Sequence, residues 1–119
     1  MKDNKVSIKW VTINQWHRTE FVGWAGVFGL FRVIHNGEVK FIGHAAKGGL
    51  APRLRAYRTP RGTWRTHKAG LEIYNSRLEV TMQIAILDMP PNRIHRILKS
   101  MVAQRKPPWN ALDGHHRVF

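Results

Sequence analysis

Two apolar runs on either side of Asn36-Gly37 constrain the fold of this chain more than any other feature. The stretch "GVFGLFRVIHNGEVKFIGHA", residues 26–45, is rich in β-branched and aromatic residues around that dipeptide. Asn-Gly is typical of the two-residue turns that join antiparallel strands, because both residues tolerate positive φ. The sequence therefore predicts a β-hairpin, with strands over 27–34 and 39–42.

Three later segments predict the remaining elements. "LAPRLRAYR" is typical of a short basic helix with Pro52 in its first turn, and a second helix is expected around 64–74. Residues 78–86 alternate in polarity and predict a strand. The core face of this predicted strand consists of Leu78, Val80, Met82, Ile84 and Ile86.

A last helix is expected between Pro90-Pro91 and Pro107-Pro108. Its apolar stripe, at helical spacing, consists of Ile94, Ile97, Leu98, Met101 and Val102. The predicted fold class is α+β: a small three-stranded antiparallel sheet flanked by helices. We expect an N-terminal extension, 1–24, packed on a domain over 25–112, and a C-terminal tail over 113–119. The secondary structure of the extension stays open.

Charge is the strongest compositional signal. Twenty Lys and Arg residues against seven acidic residues give a net charge of +13, which indicates nucleic acid or another polyanion as the partner. Residues 47–68, here called the basic segment, contain no acidic residue, and the glycines and prolines within them disfavour a membrane-surface helix. The candidate nucleic-acid-binding residues are Lys47, Arg53, Arg55, Arg58, Arg61, Trp64, Arg65 and Lys68.

Composition also excludes several kinds of site. The chain has no cysteine, so it can form neither a disulfide nor a thiolate zinc site. The histidines show no ligand spacing, and Asp113 with His115-His116 is interpreted as part of a polar tail, so no metal and no cofactor is predicted. Lysines interrupt the N-terminal end, and no segment reaches the roughly 20 apolar residues of a membrane span. We therefore expect a cytoplasmic protein with no membrane partner.

Four segments, in order and spacing, resemble the GIY-YIG nuclease family. "GVF" at 26–28 and "FIG" at 41–43 resemble its two signatures, with twelve residues between them. "LAPRL" resembles the helix that carries the family's active-site arginine, here Arg53, and "KPPWN" resembles the segment that ends in its asparagine, here Asn110. The resemblance implies a nuclease scaffold that acts on DNA. In such nucleases a glutamate holds a divalent cation, a tyrosine assists water deprotonation and the arginine stabilises phosphate charge.

The sequence departs from the family pattern at most of these positions. Phe28 and Phe41 stand where the signatures have tyrosine, and Leu98 lies twelve residues before Asn110, at the usual distance of the metal-binding glutamate. No Asp or Glu occurs from 89 to 112. Arg53 and Asn110 are retained. Loss of both a general acid/base and the metal ligand is expected to abolish turnover, so no catalytic residue is predicted.

Individual residues allow more than one interpretation. Phe28 and Phe41 are interpreted as core residues, with base stacking as the alternative, and Leu98 as core. Arg53 is interpreted as a phosphate contact rather than a solvated charge. Trp64, between Arg61 and Arg65, could stack on a base.

The sequence thus predicts a non-catalytic protein that binds nucleic acid, with DNA favoured over RNA. Two alternatives stay open. One is a divergent active endonuclease that uses Glu79, Glu72 or a partner's carboxylate. The other is a module whose basic surface docks on an acidic protein such as a replication, transcription or repair enzyme.

Overall fold

The computed structural model describes residues 8–21, 26–45, 48–58 and 68–112. Its strands are β1 (Val11–Ile13), β2 (Gly29–His35), β3 (Glu38–Ala45) and β4 (Thr81–Ile86). Its helices are α1 (Leu50–Tyr57), α2 (Lys68–Asn75) and α3 (Pro91–Arg105), followed by a short 3₁₀ helix, Pro108–Ala111. The predicted order of strand, strand, helix, helix, strand and helix is confirmed from β2 onward.

The four strands form one antiparallel sheet in the order β1-β4-β2-β3. The α+β class is confirmed, but the sheet has one strand more than predicted. The additional strand, β1, pairs Val11 with Ile84 and Ile13 with Met82. The described part of the predicted N-terminal extension is thus continuous with the sheet, and Trp16 and Phe21 beyond β1 are buried in the core.

The β2–β3 hairpin turns where the sequence predicts. Asn36 and Gly37 have φ values of 55° and 78°, the combination that matches the twist of the flanking strands. The register shifts by one residue opposite Val33 and Ile34 of β2, because Lys40 of β3 is left without a partner in β2. Gly43 lies against the Phe31 ring. A Cβ at this position would stand 2.5 Å from the Phe31 Cζ, so a larger residue would require the ring to move.

Helices cover both faces of the sheet, as the neighbouring residues of β2 show by packing in two different cores. Phe31 and Val33 belong to one core together with residues of α1 and α2, including Leu54 and Ile73. Leu30 belongs to a second core, with residues of α3. Since successive strand residues point to opposite faces, α1 and α2 lie on one side of the sheet and α3 on the other.

This two-sided burial corrects the prediction for β4. Val80, Met82 and Ile84 are buried, as expected from the alternation, but Leu78 and Ile86 are 71% and 62% exposed. Ala85, which the alternation assigns to the solvent face, is buried in the second core. The predicted amphipathic strand is therefore shorter and is packed on both faces.

The apolar stripe of α3 packs on the second core. Ile94, Leu98 and Val102 are buried, while Ile97 and Met101 are half-buried beside them. The helix ends at Arg105, and the next residue, Lys106, has a left-handed φ of 48°. No helix among the residues described is both long enough and apolar enough to cross a membrane.

Candidate nucleic-acid interface

The first half of α1 brings Arg53 to the end of β3. Leu50, Ala51, Leu54 and Tyr57 are buried, which leaves Arg53 and Arg58 half-buried and Arg55 exposed. The helix is fixed at its start by a hydrogen bond from the Leu50 N–H to the Val27 carbonyl oxygen, at 2.7 Å. The predicted phosphate-binding arginine therefore sits on a well-anchored helix and is partly accessible.

Arg53 lies beside a buried tyrosine. Burial raises the pKa of Tyr57 to about 12, and the Arg53 charge and hydrogen bonding act in the opposite direction. The Tyr57 ring packs 5.6 Å from Phe31 and 6.2 Å from Phe41, measured between ring centroids. These contacts connect Arg53 to both strands of the hairpin.

Two histidines meet at the same end of β3. The His44 ring is perpendicular to the His95 ring of α3, with ring centroids 5.4 Å apart. The pKa of His44 is lowered, first by burial and then by the charges of Arg53 and His95. Arg53, His44 and His95, here called the β3-end cluster, therefore join α1 and α3 around the edge of the sheet.

Arg58 holds the fold together and does not project freely. Its Nη1 donates to the carbonyl oxygens of Trp16 and Thr19, at 2.9 and 2.6 Å, and its guanidinium lies 5.0 Å from the Phe21 ring centroid. Burial and the charge of Arg55 lower the pKa of Arg58, and Glu20 opposes this. These contacts tie α1 to the N-terminal segment.

Arg55 is more accessible than Arg58. Its Nη2 makes a long contact, 3.5 Å, to the Glu20 carbonyl oxygen, its guanidinium carbon lies 5.7 Å from the Phe21 ring centroid, and its side chain is exposed. Lys68 is exposed at the start of α2. The other predicted binding residues, Lys47, Arg61, Trp64 and Arg65, lie outside the residues that the structure describes.

The two signature phenylalanines have different environments. Phe41 is fully buried, and its ring centroid lies 5.9 Å from that of Phe31, so its interpretation as core is confirmed. Phe28 is 37% exposed, so the core interpretation is wrong for this residue. Phe28 lies one residue before β2, and its carbonyl oxygen accepts a hydrogen bond from the Leu87 N–H at 3.0 Å.

The two other residues discussed in the resemblance, Leu98 and Asn110, lie in the core. Leu98 is fully buried, as predicted. Asn110 is also fully buried: its Oδ1 accepts from the Ile42 N–H and its Nδ2 donates to the Ile42 carbonyl oxygen, both at 3.0 Å. Asn110 thereby pairs with the outer edge of β3 as a neighbouring strand would.

Potential metal ligands are dispersed in the described residues. No group of three or more His, Cys, Asp or Glu side chains there could hold a metal ion. Glu79 contacts His35 at 3.2 Å, near the hairpin turn, and Glu72 is exposed on α2. Asp113 and His115-His116 lie outside the described residues.

The outer side of α3 is a basic surface that was not among the residues predicted to bind. Arg93, Arg96 and Lys99 are exposed at a spacing of three residues, which places them along one side of the helix. The sequence signal for this surface is the absence of Asp and Glu from 89 to 112, which was interpreted above only as the absence of a metal ligand. His95 connects this surface to the β3-end cluster.

Comparison of the chain with family models, curated proteins and solved structures gives no match. The resemblance to GIY-YIG nucleases accordingly rests on the four sequence segments alone.

Proposed function

We propose that this chain is a non-catalytic nucleic-acid-binding protein, with DNA favoured over RNA, on a scaffold that resembles a GIY-YIG nuclease. It contacts backbone phosphates through the basic segment. The observation that carries the proposal is the β3-end cluster, where Arg53, His44 and His95 come together and where the charges that act on His44 are positive. A phosphate group at this cluster gains a charge-assisted hydrogen bond from the Arg53 guanidinium.

The surrounding charge supports a long polyanion rather than a small anion. Exposed Arg55 lies on α1, and exposed Arg93, Arg96 and Lys99 lie on α3, so cations extend from the cluster over both helices that flank it. The net charge of +13 also favours rapid association with nucleic acid.

The absence of catalysis is supported by the apolar residues at the positions that the resemblance matches with the catalytic groups of the nucleases. Leu98 is buried among Ile94 and Val102, and α3 carries no carboxylate at all. Phe28 and Phe41 offer no hydroxyl for proton transfer. Arg53 is the retained group that suits phosphate binding without chemistry.

The divergent-nuclease alternative is less well supported. Glu79 contacts His35 at the hairpin-turn end of the sheet, whereas Arg53 acts on His44 at the other end of β3. From residue 38 to residue 44 the strand extends about 20 Å. One phosphate group cannot contact both ends at once. Docking on an acidic protein remains the alternative that uses the same basic residues.

A gel-shift comparison tests the proposal and identifies the ligand. Single-stranded DNA, duplex DNA and RNA of equal length are compared at one salt concentration, and we expect retention of at least one DNA form. A pull-down from nuclease-treated lysate is performed alongside. Capture of a defined acidic protein, with no retention of any nucleic acid, would favour the docking alternative.

A further inference from the structure

Three side chains form a hydrogen-bonded row across one face of the sheet. Thr12 of β1, Gln83 of β4 and Arg32 of β2 are register partners on neighbouring strands. Gln83 Nε2 donates to Thr12 Oγ1 at 3.0 Å, and Arg32 Nε donates to Gln83 Oε1 at 2.7 Å. Because arginine has only donors, Gln83 must present its oxygen to Arg32, and the row fixes the guanidinium in place.

Arg32 also stacks on an aromatic ring, and the charge of a second arginine acts on it. Its guanidinium carbon stands 4.3 Å from the Trp10 ring centroid. Burial lowers the pKa of Arg32, and the charge of Arg105, at the end of α3, lowers it further. Arg105 is exposed in the last turn of α3, the helix on the same side of the sheet as Arg32, so an anion bound beside Arg32 is attracted by both positive charges.

The contacts of Arg32 differ from those of the arginines that stabilise the fold. Arg58 and Arg77 each direct Nη1 at a backbone carbonyl oxygen. In the described part of the chain, Arg32 uses Nε alone and its two Nη groups have no acceptor. The ion pairs found there, Glu38 with Lys40 and Glu79 with His35, do not include Arg32.

We infer that Arg32 and Arg105 form a phosphate-binding site on the α3 side of the sheet, positioned by Gln83 and Trp10, for a backbone phosphate of the bound nucleic acid. The planar guanidinium suits this ligand because its two Nη groups can contact two phosphate oxygens at once. The inference rests on the proposed function. It adds a contact on the face of the sheet opposite α1, so the nucleic acid must reach around the sheet edge or along α3.

Titration with inorganic phosphate tests the site without nucleic acid. The Arg32 Nε–H signal, assigned in ¹⁵N-labelled protein by its loss in Arg32→Lys, is followed by NMR. We expect a saturable shift, and in Arg105→Gln an apparent affinity about tenfold lower, because one charge-assisted hydrogen bond is removed. Arg77→Lys, which alters an arginine that lies 4.2 Å from the Tyr74 ring, is the matched control and should leave the titration unchanged. An Arg32 signal that does not saturate, or that responds equally in Arg105→Gln, would overturn the site.

Nucleic-acid binding then tests the assignment to a backbone phosphate. Arg32→Lys and Arg105→Gln should each weaken binding, and Arg105→Gln should lower the salt slope by about 0.7 on a single strand or 0.9 on a duplex. If both variants bind like the wild type while variants of the basic segment lose binding, the inference fails and the proposed function stands. If the wild type binds phosphate but no nucleic acid, the proposed function and the backbone assignment both fail.

Discussion

The side chain of Asn110 forms two hydrogen bonds with the backbone of Ile42, one as acceptor and one as donor, each 3.0 Å long. It joins the 3₁₀ helix after α3 to the edge strand of the sheet. The sequence resemblance matches Asn110 with an asparagine of the nuclease family, and its two hydrogen bonds here account for its presence without any role in chemistry. The bonds cover an edge that would otherwise be open to pairing with another chain.

Replacement of this side chain should reveal its structural role. Asn110→Ala leaves the N–H and the carbonyl oxygen of Ile42 buried without partners, and about 1 to 3 kcal/mol of unfolding free energy should be lost for each. Chemical denaturation measures the change, with Asn75→Ala, at an exposed position at the end of α2, as the control. A loss below about 0.5 kcal/mol, the range of ordinary surface substitutions, would mean that the two bonds do not stabilise the fold.

Leu98 tests the packing of α3. Leu98→Ala removes a fully buried side chain and should lower the free energy of unfolding by about 2 to 5 kcal/mol, through lost transfer energy and a residual cavity. The matched control is Leu78→Ala, because Leu78 is 71% exposed, and it should stay within about 0.5 kcal/mol of the wild type. Equal effects of the two substitutions would contradict the position of this helix.

Tyr57 should make stability depend on alkaline pH. Burial raises its pKa from the ordinary 10.0 to about 12, so between these values the folded chain keeps the phenol proton while the unfolded chain releases it. Stability is therefore fully present below pH 10 and is lost as the pH rises toward 12, by up to about 3 kcal/mol. Tyr57→Phe should remove this component from the pH profile of unfolding, and Tyr74→Phe, the control, should retain it. A profile that is the same for wild type and Tyr57→Phe would exclude a buried, protonated Tyr57.

Parts of this fold are readable from the sequence because their signals are local. Asn36-Gly37 fixes the hairpin turn through φ alone, and the stripe of α3 follows from helical spacing. β1 is only three residues long, and its pairing with β4 joins positions about 70 residues apart, so nothing near Val11 in sequence indicates it. The same holds for Ala85, whose burial depends on where α3 packs.

The candidate site was only partly predictable for the same reason. Arg53 could be identified from the resemblance, and the structure places it next to His44 and Tyr57. Neither the meeting of His44 with His95 nor the attachment of Arg58 to the N-terminal segment could be predicted, because each depends on tertiary packing. The cations of α3 could have been predicted to form one basic surface, because their spacing of three residues places them on the same side of a helix.

We expect no metal-dependent cleavage of DNA. Leu98, which the sequence resemblance matches with the metal-binding glutamate of the nuclease family, is buried in the core, so the purified protein should leave supercoiled plasmid intact in Mg²⁺ or Mn²⁺. Arg53→Ala serves as the specificity control, since a contaminating nuclease would not respond to it. Nicking by the wild type that disappears in Arg53→Ala would show that the chain is an active nuclease.

The salt dependence of DNA binding tests the central proposal most directly. The affinity is measured over a range of salt for the wild type, for Arg55→Gln/Lys68→Gln in the basic segment, and for Lys40→Gln/Arg77→Gln, which removes the same charge from β3 and from the segment after α2. If the basic segment contacts phosphates, the wild type has a steep slope, and the first variant binds every DNA sequence more weakly, with a slope lower by about 0.7 to 0.9 for each phosphate that it no longer binds. The second variant should keep the wild-type slope. Equal slopes and affinities for all three proteins, with circular dichroism showing each to be folded, would contradict phosphate binding by the basic segment.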